Sequence, residues 1–427
     1  MTDAQDERTR KARMETRAMS PRRAYAAVVA AYWGFTLTDG ALRMLVLLHF
    51  FTLGYTPFEL AFLFVLYEVA GMATNLFGGW AAARFGINVT LSAGLSLQVA
   101  ALLMLSALDP SWARSWSVAY VVAAQGLAGV AKDLTKTSAK SAVKLVAPEG
   151  QAGTLFRYVA WLTGSKNALK GVGFFLGGLL LSAVGFAPAL WLMASALAVV
   201  FVAVALSLPR LFGKAKQASR VRELFAKTRA INLLAAARVA LFGARDVWFV
   251  VGLPVFLYAA GWSFAGVGGF LAAWTIGYGV VQGVAYRVVP RSPDGLSAEV
   301  PAARLWAGVL ALVPLAILGG LAATPERAVA VVVGGLTLFG IVFAVNSSVH
   351  SYLIVAYAGS EKVAEDVGFY YAANATGRLA GTLLSGLLYQ LGGIEACLVG
   401  AAAMLAASFA VSLLLPRETA AAAIAAE

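Results

Sequence analysis

The stretch PRLFGKAKQASRVRELFAKTRA, residues 209–230, is the most polar run in the interior of the chain and carries Arg210, Lys214, Lys216, Arg220, Arg222, Lys227 and Arg229. Apolar segments flank it on both sides. Upstream they run over roughly 25–51, 57–83, 88–108, 116–136, 155–183 and 186–208. Downstream they run over roughly 231–259, 263–288, 304–323, 327–356, 367–391 and 394–415. Each reaches the ~20 residues that an α-helix needs to cross the hydrocarbon core. No sustained alternation of the barrel type competes with a helical reading. Six segments before a basic linker and six after it predict an all-α membrane protein, with twelve transmembrane helices in two pseudo-symmetric six-helix bundles.

Composition agrees. Of 427 residues, 60% are apolar and 13% charged, against about 45–50% and roughly 25% in soluble domains. That excludes a soluble enzyme and a disordered chain. One cysteine and two histidines exclude a disulfide framework and leave little for a zinc centre. No catalytic residue, metal or cofactor is expected. The net charge of +12 would suggest nucleic acid in a soluble protein, but here the basic residues sit between apolar runs, so no nucleic-acid partner is read.

The distribution of these charges sets topology. Residues 1–24 carry Arg8, Arg10, Lys11, Arg13, Arg17, Arg22 and Arg23. The other loops on the same side hold Arg84, Lys132, Lys136, Lys140, Lys144, Arg287, Arg291, Arg304, Lys362 and Arg417, whereas the alternate loops hold only Arg114 and Arg327. The positive-inside rule then puts both termini in the cytoplasm. The expected division is a basic cytoplasmic segment 1–24, an N-terminal bundle 25–208, a cytoplasmic linker 209–230, a C-terminal bundle 231–416 and a tail 417–427.

Charges inside the apolar runs carry the functional reading, because each costs ~2.5–3.5 kcal/mol at the bilayer centre and must face water or a partner. The basic set is Arg43, Arg157, Lys166, Lys170, Arg238, Arg245 and Arg378; the acidic set is Asp39, Glu68 and Asp246. The surplus is positive, which suits an anionic substrate. Helical spacing groups these residues into stripes: Tyr32, Thr36, Asp39 and Arg43; Thr163, Lys166 and Lys170; Tyr371, Asn374 and Arg378; Arg238, Phe242, Arg245 and Phe249. Substrate contact is expected from Arg43, Lys132, Lys166, Asn167, Lys170, Arg245, Asn374 and Arg378. Asp39, Glu68 and Asp246 are the candidate proton carriers.

Competing readings stand beside these. Asp39 and Arg43 also fit a neutralised i,i+4 pair, and Arg157 and Arg238 near helix ends fit snorkelling side chains. Glu68 has no basic partner in its own run, so a protonated core residue and a proton carrier are both open. Lys132, Lys136, Lys140 and Lys144 recur every four residues. They form either a positive-inside helix extension or a ramp that gathers anions at the cytoplasmic mouth.

Weak internal similarity supports two repeats. Thr163-Gly164 followed by Gly171, Gly173, Gly177 and Gly178 parallels Thr376-Gly377 followed by Gly381 and Gly386. Six plus six helices about a basic central loop is the arrangement of the major facilitator superfamily. The segment GGWAAARFGI (78–87) resembles its signature between helices 2 and 3. Gly79, Arg84 and Gly86 match, while Ala83 and Ile87 replace the usual acid and base.

The runs YWGFTLTDGALRMLVLLHFFTLGY (32–55), LYEVAGMATNLFGG (66–79), GVAKDLTKTSAKSAVKLV (129–146) and LTGSKNALKGVGFFLGG (162–178) together resemble the ArsJ family of bacterial organoarsenical efflux permeases. The resemblance implies export of 1-arseno-3-phosphoglycerate across the bacterial cytoplasmic (inner) membrane. It also implies a functional partner, glyceraldehyde-3-phosphate dehydrogenase, which makes that compound from arsenate. Related organophosphate/phosphate antiporters place basic residues on helices 1 and 7, where Arg43 and Arg245 stand here. The competing expectation is a permease for another organophosphate or organic anion.

Overall fold

The computed structural model describes residues 21–143, 152–208, 228–290, 292, 296–358 and 363–417. For 21–22, 75–84, 140, 143, 152–161, 163–164, 286 and 363–365 it describes the backbone alone. Most of the linker 209–230, all but the last four residues of the segment 1–24, and the tail beyond Arg417 lie outside the described residues.

The first half comprises α1 (Pro21–Thr52), α2 (Pro57–Phe62), α3 (Val65–Phe85), α4 (Ile87–Ser106), α5 (Arg114–Val143), α6 (Ala152–Val184) and α7 (Phe186–Ser207). The second comprises α8 (Arg229–Phe249), α9 (Gly252–Ala259), α10 (Phe264–Val284), α11 (Glu299–Ala323), α12 (Ala328–Tyr357) and α13 (Val363–Leu413). Ten helical stretches among the described residues are long and apolar enough to span a bilayer. α5 misses that set because its second half carries Lys132, Asp133, Lys136 and Lys140, and α13 counts once although it turns at Gly392–Gly393. These two account for the difference from twelve. Two expected helices are broken: the second at Leu63–Phe64 and the seventh at Val250–Val251. A break in lipid leaves backbone groups needing partners. At the second break Ser385 Oγ accepts from Val251 N at 3.1 Å and Gly252 N at 3.0 Å.

The halves repeat one another in detail. α1 ends at Gly54-Tyr55-Thr56 and α9 at Gly261-Trp262-Ser263. Gly54 and Gly261 adopt φ of +79° and +89°, a region where a Cβ is strained. The next residue closes the helix end in both cases, Tyr55 N onto Phe50 O at 3.1 Å and Trp262 N onto Leu257 O at 3.1 Å. The third residue then caps the following helix: Thr56 accepts from Glu59 N and Ser263 from Gly266 N.

The glycine series behaves likewise. Gly173 and Gly177 of α6 face the backbone of α1, and Gly377 and Gly381 of α13 face that of α8. Other glycines join the halves. A Cβ at Gly171 would sit 2.8 Å from Ala272 O, and one at Gly268 2.6 Å from Phe174 O, so α6 and α10 meet backbone to backbone. The second seam sets α2 and α3 against α13, where Gly386 abuts Pro57 and Phe58. Large exposed side chains such as Trp191, Val199 and Leu206 on α7 and Leu305 and Leu312 on α11 face outward, as lipid-facing helices require.

The two ends of the molecule differ. At the end carrying Gly54 and Gly261, one apolar core takes residues from both halves, among them Leu60, Phe174, Trp248 and Leu257. Phe51 meets Tyr258 edge-on there, ring centroids 5.8 Å apart. At the opposite end the cores separate. One holds Val28, Leu91 and Leu197 of the first half, the other Ile231, Val300 and Leu353 of the second. Among the described residues the halves are closed over a shared core at one end and parted, with separate cores, at the other.

Candidate functional site

Between the parted halves lies a cavity of about 170 Å³. Its wall brings together Tyr32, Thr36 and Asp39 of α1, Glu68 of α3, Lys132, Asp133 and Lys136 of α5, Lys166 and Lys170 of α6, and Tyr371, Asn374 and Arg378 of α13. The i,i+4 and i,i+3 spacings seen in the sequence do this: each stripe turns one face of its helix inward. Five cationic side chains face three carboxylates on this wall, so the lining is net positive.

The carboxylates organise the cations. Glu68, 1% exposed, receives Arg43 Nη2 and Arg378 Nη2 on the same oxygen, each at 2.7 Å. Arg43 belongs to the first half and Arg378 to the second, so Glu68 ties the halves together through one atom. Arg378 also reaches Asp246, Nε to Oδ2 at 3.4 Å, and Asp246 in turn accepts from Arg245 Nε at 2.6 Å. Asp39 accepts from Tyr67 Oη at 2.7 Å and has Lys170 Nζ at 4.0 Å. Asp133 holds Lys136 at 3.0 Å and Lys132 at 3.7 Å. A buried charge without a partner is strongly unfavourable, and these contacts explain how so many survive mid-molecule.

Several expectations change. Asp39 and Arg43 are not paired with each other, since each has partners on neighbouring helices. Glu68, which lacked a partner within its own run, has two from other helices, and an ionised carboxylate is what two guanidinium groups select. Arg238 is not a snorkelling side chain. It is 4% exposed, lies over the Phe242 ring at 3.9 Å and bonds inward to Ser347 and Asn374.

Of the expected contact residues, Lys132, Lys166, Lys170, Asn374 and Arg378 line the cavity. Arg43, Arg245 and Asp246 form the layer behind it. Asn167 is placed differently: its Cβ lies 3.5 Å from where a Cβ on Gly279 of α10 would be, and it does not join the wall. Lys132 and Lys136 begin the lysine series at the cavity. The Lys140 and Arg157 side chains and all of Lys144 lie outside the described residues, as does the Arg84 side chain in the 78–87 segment.

Two residues were missed in the sequence. Tyr67 bonds Asp39 with its hydroxyl and carries Lys132 Nζ 3.9 Å from its ring centroid. Asp133 was hidden among the lysines it neutralises, although Lys136 three residues on was the signal for it.

Among the described residues, no group of three or more His, Cys, Asp or Glu could hold a metal ion. The site offers charge and hydrogen bonds on a surface to which both halves contribute.

No curated protein sequence matches the chain. In structure it is similar to the human organic anion transporter MFSD10 (TETRAN), with a TM-score of 0.62 and 17% identity, covering 92% of this chain and 100% of that one. This likeness shows the fold. The sequence profile of the Major Facilitator Superfamily matches residues 24–359. A multi-pass helical protein whose two repeated halves enclose a central polar cavity thus has its family: the chain belongs to the major facilitator superfamily and is a secondary transporter of a small molecule, not an enzyme.

Proposed function

We propose that this transporter exports a compact organic polyanion, 1-arseno-3-phosphoglycerate, from the cytoplasm by alternating access. The observation that carries the charge class is the cavity wall, where Lys132, Lys136, Lys166, Lys170 and Arg378 outnumber Asp39, Glu68 and Asp133. Phosphate-like heads carry about −1.5 to −2 charge near neutral pH and take several charged donors. The resemblance to the ArsJ family supplies the specific substrate. The parted end is the one bearing the basic loops, so by the positive-inside rule it faces the cytoplasm, both termini with it. The two bundles then span 25–208 and 231–416, joined by the cytoplasmic linker 209–230. Export of an anion from a negative interior is favoured by ~2.3 kcal/mol per charge per 100 mV. Among the carboxylates Asp39 has the loosest cation contact, and it is the group proposed to carry a coupled proton.

Cells expressing this chain together with glyceraldehyde-3-phosphate dehydrogenase should resist arsenate and retain less arsenic than cells with either protein alone. Unchanged arsenic content with both proteins present in the cell would reject the substrate. A phosphate head presents the same tetrahedral charge to these lysines. Another organophosphate is therefore the second reading, and exchange of radiolabelled sugar phosphates in proteoliposomes distinguishes it.

A further inference from the structure

Behind Asn374 the second half holds a polar cluster that the cavity wall does not include. Arg238 of α8 is buried and has no carboxylate partner among the described residues. Its contacts are Asn374 Oδ1 at 3.2 Å, Ser347 Oγ at 3.2 Å, Ser347 O at 3.3 Å and the faces of Phe242 and Tyr370. Arg43, Lys132, Lys136, Lys170, Arg245 and Arg378 each have a carboxylate within 4 Å, so Arg238 differs from them in kind.

Ser347 Oγ is the focus of this cluster. Arg238 Nη1 donates to it, Gln282 Nε2 approaches at 3.5 Å, and Tyr278 Oη lies at 3.2 Å. Three potential donors thus converge on one hydroxyl oxygen, which has two lone pairs. Nearby on the same helix, Asn346 and His350 are fully buried, and their side-chain polar atoms have no hydrogen-bond partner. Arg238 carries five N–H groups, and its hydrogen bonds to Asn374 and Ser347 engage only Nε and Nη1. A donor-rich cluster built on an unneutralised guanidinium is the complement of a tetrahedral oxyanion, which supplies several acceptor oxygens and negative charge at once.

We infer that Arg238, Ser347, Gln282 and Tyr278 form a second oxyanion subsite, reached from the central cavity past Asn374, that holds the far head of a two-headed substrate. Asn374 is the connection, because it lines the cavity and also accepts from Arg238. It lies one helical turn, about 6 Å of rise, from Arg378. A head at Lys170 and Arg378 and a head at Arg238 are then within reach of a single three-carbon ligand. Tyr278 and Gln282 are half-buried, while Arg238 and Ser347 are sealed. The subsite is therefore completed by a small opening between α10, α12 and α13 as the ligand seats. This inference rests on the polyanion reading above and adds to it which residues select two heads over one.

The test is equilibrium binding to the purified full chain in nanodiscs, with 2,3-bisphosphoglycerate as the two-headed probe and glycerol 3-phosphate as the one-headed probe. Arg238→Gln should weaken the two-headed probe more than tenfold, the usual scale for losing one partner of a buried charged contact, and change the one-headed probe by less than about twofold. Gln282→Ala and Tyr278→Phe leave no buried charge stranded, so they serve if Arg238→Gln fails to fold. Each should weaken the two-headed probe alone. Equal losses for both probes, or no loss for either, would overturn the subsite and leave the polyanion reading intact. A wild-type chain that binds neither probe would overturn both.

Discussion

Glu68 and Arg378 are 310 residues apart in sequence and meet at 2.7 Å across the seam between the two halves. The same Glu68 oxygen holds Arg43, so this one carboxylate neutralises a cation from each half. Removing its charge leaves the buried Arg43 without its carboxylate partner and Arg378 with Asp246 alone, and breaking a buried pair from one side destabilises by about 3–5 kcal/mol. Glu68→Gln should lower the melting temperature of the purified protein and stop transport. The double variant Glu68→Gln/Arg378→Gln should recover part of the stability but none of the transport. Strictly additive losses in a thermal-melt cycle would show that the contact contributes no coupling energy.

The cavity wall separates two residues that were both expected to touch substrate. Lys170→Ala should reach the membrane at normal abundance and lose anion transport by more than tenfold, on the scale of a lost buried charge contact. Asn167→Ala, whose side chain faces α10, should transport at near wild-type rates. Comparing the two in everted vesicles, with abundance checked by blot, tests the placement. A severe Asn167→Ala defect would put that residue in the substrate path.

Closure of the Gly54–Gly261 end predicts a cross-linking pattern. Phe51 and Tyr258 are in ring contact across the halves, and the chain's single cysteine, Cys397, is buried. In Phe51→Cys/Tyr258→Cys, a short reducible thiol cross-linker should join the two positions in the substrate-free protein. It should also halt transport until reductant is added. Failure to cross-link would contradict closure of this end, and transport that continues once linked would mean that it need not open during the cycle.

Ser385 supports the break in the seventh helix with one hydroxyl accepting from two backbone N–H groups. Ser385→Ala leaves both donors buried and unsatisfied, at about 1–3 kcal/mol each. Thermal stability should fall while probe affinity stays within about twofold, as expected of a loss confined to the fold. An unchanged melting temperature would show that other groups satisfy Val251 and Gly252.

Run length and charge spacing made most of the architecture legible. The spans follow from apolar segments about as long as the bilayer is thick, and the inward stripes follow from helical periodicity. Lys166, Lys170, Asn374 and Arg378 were found on that basis. The breaks at Leu63–Phe64 and Val250–Val251 were not: the first has no proline or glycine beside it, the Gly252 and Pro254 that follow the second read as residues a membrane helix tolerates, and the supporting Ser385 lies more than a hundred residues away. Partner choice was also hidden. Asp39 and Arg43 looked like a pair because i,i+4 contacts are visible in a sequence, whereas their actual partners Tyr67, Lys170 and Glu68 are brought in by helix packing. Arg238 was misread for the same reason. Its position near a helix start suggested escape to water, and only the neighbouring α12 and α13 show that it is enclosed.

The glycine-lined contact of α6 with α10 bears on how fast the halves change places. Interlocked side chains must be withdrawn from their sockets before two helices can shift. Where Gly171, Gly178 and Gly268 bring backbone against backbone, there is little to withdraw, and many weak dispersion contacts are exchanged for similar ones as the surfaces slide. Such a seam behaves as a low-friction bearing: it holds the halves close without choosing an angle between them. The activation barrier for reorientation then falls mainly on the ionic tie at Glu68 and the aromatic contacts at the closed end, so turnover rate should respond to substitutions there.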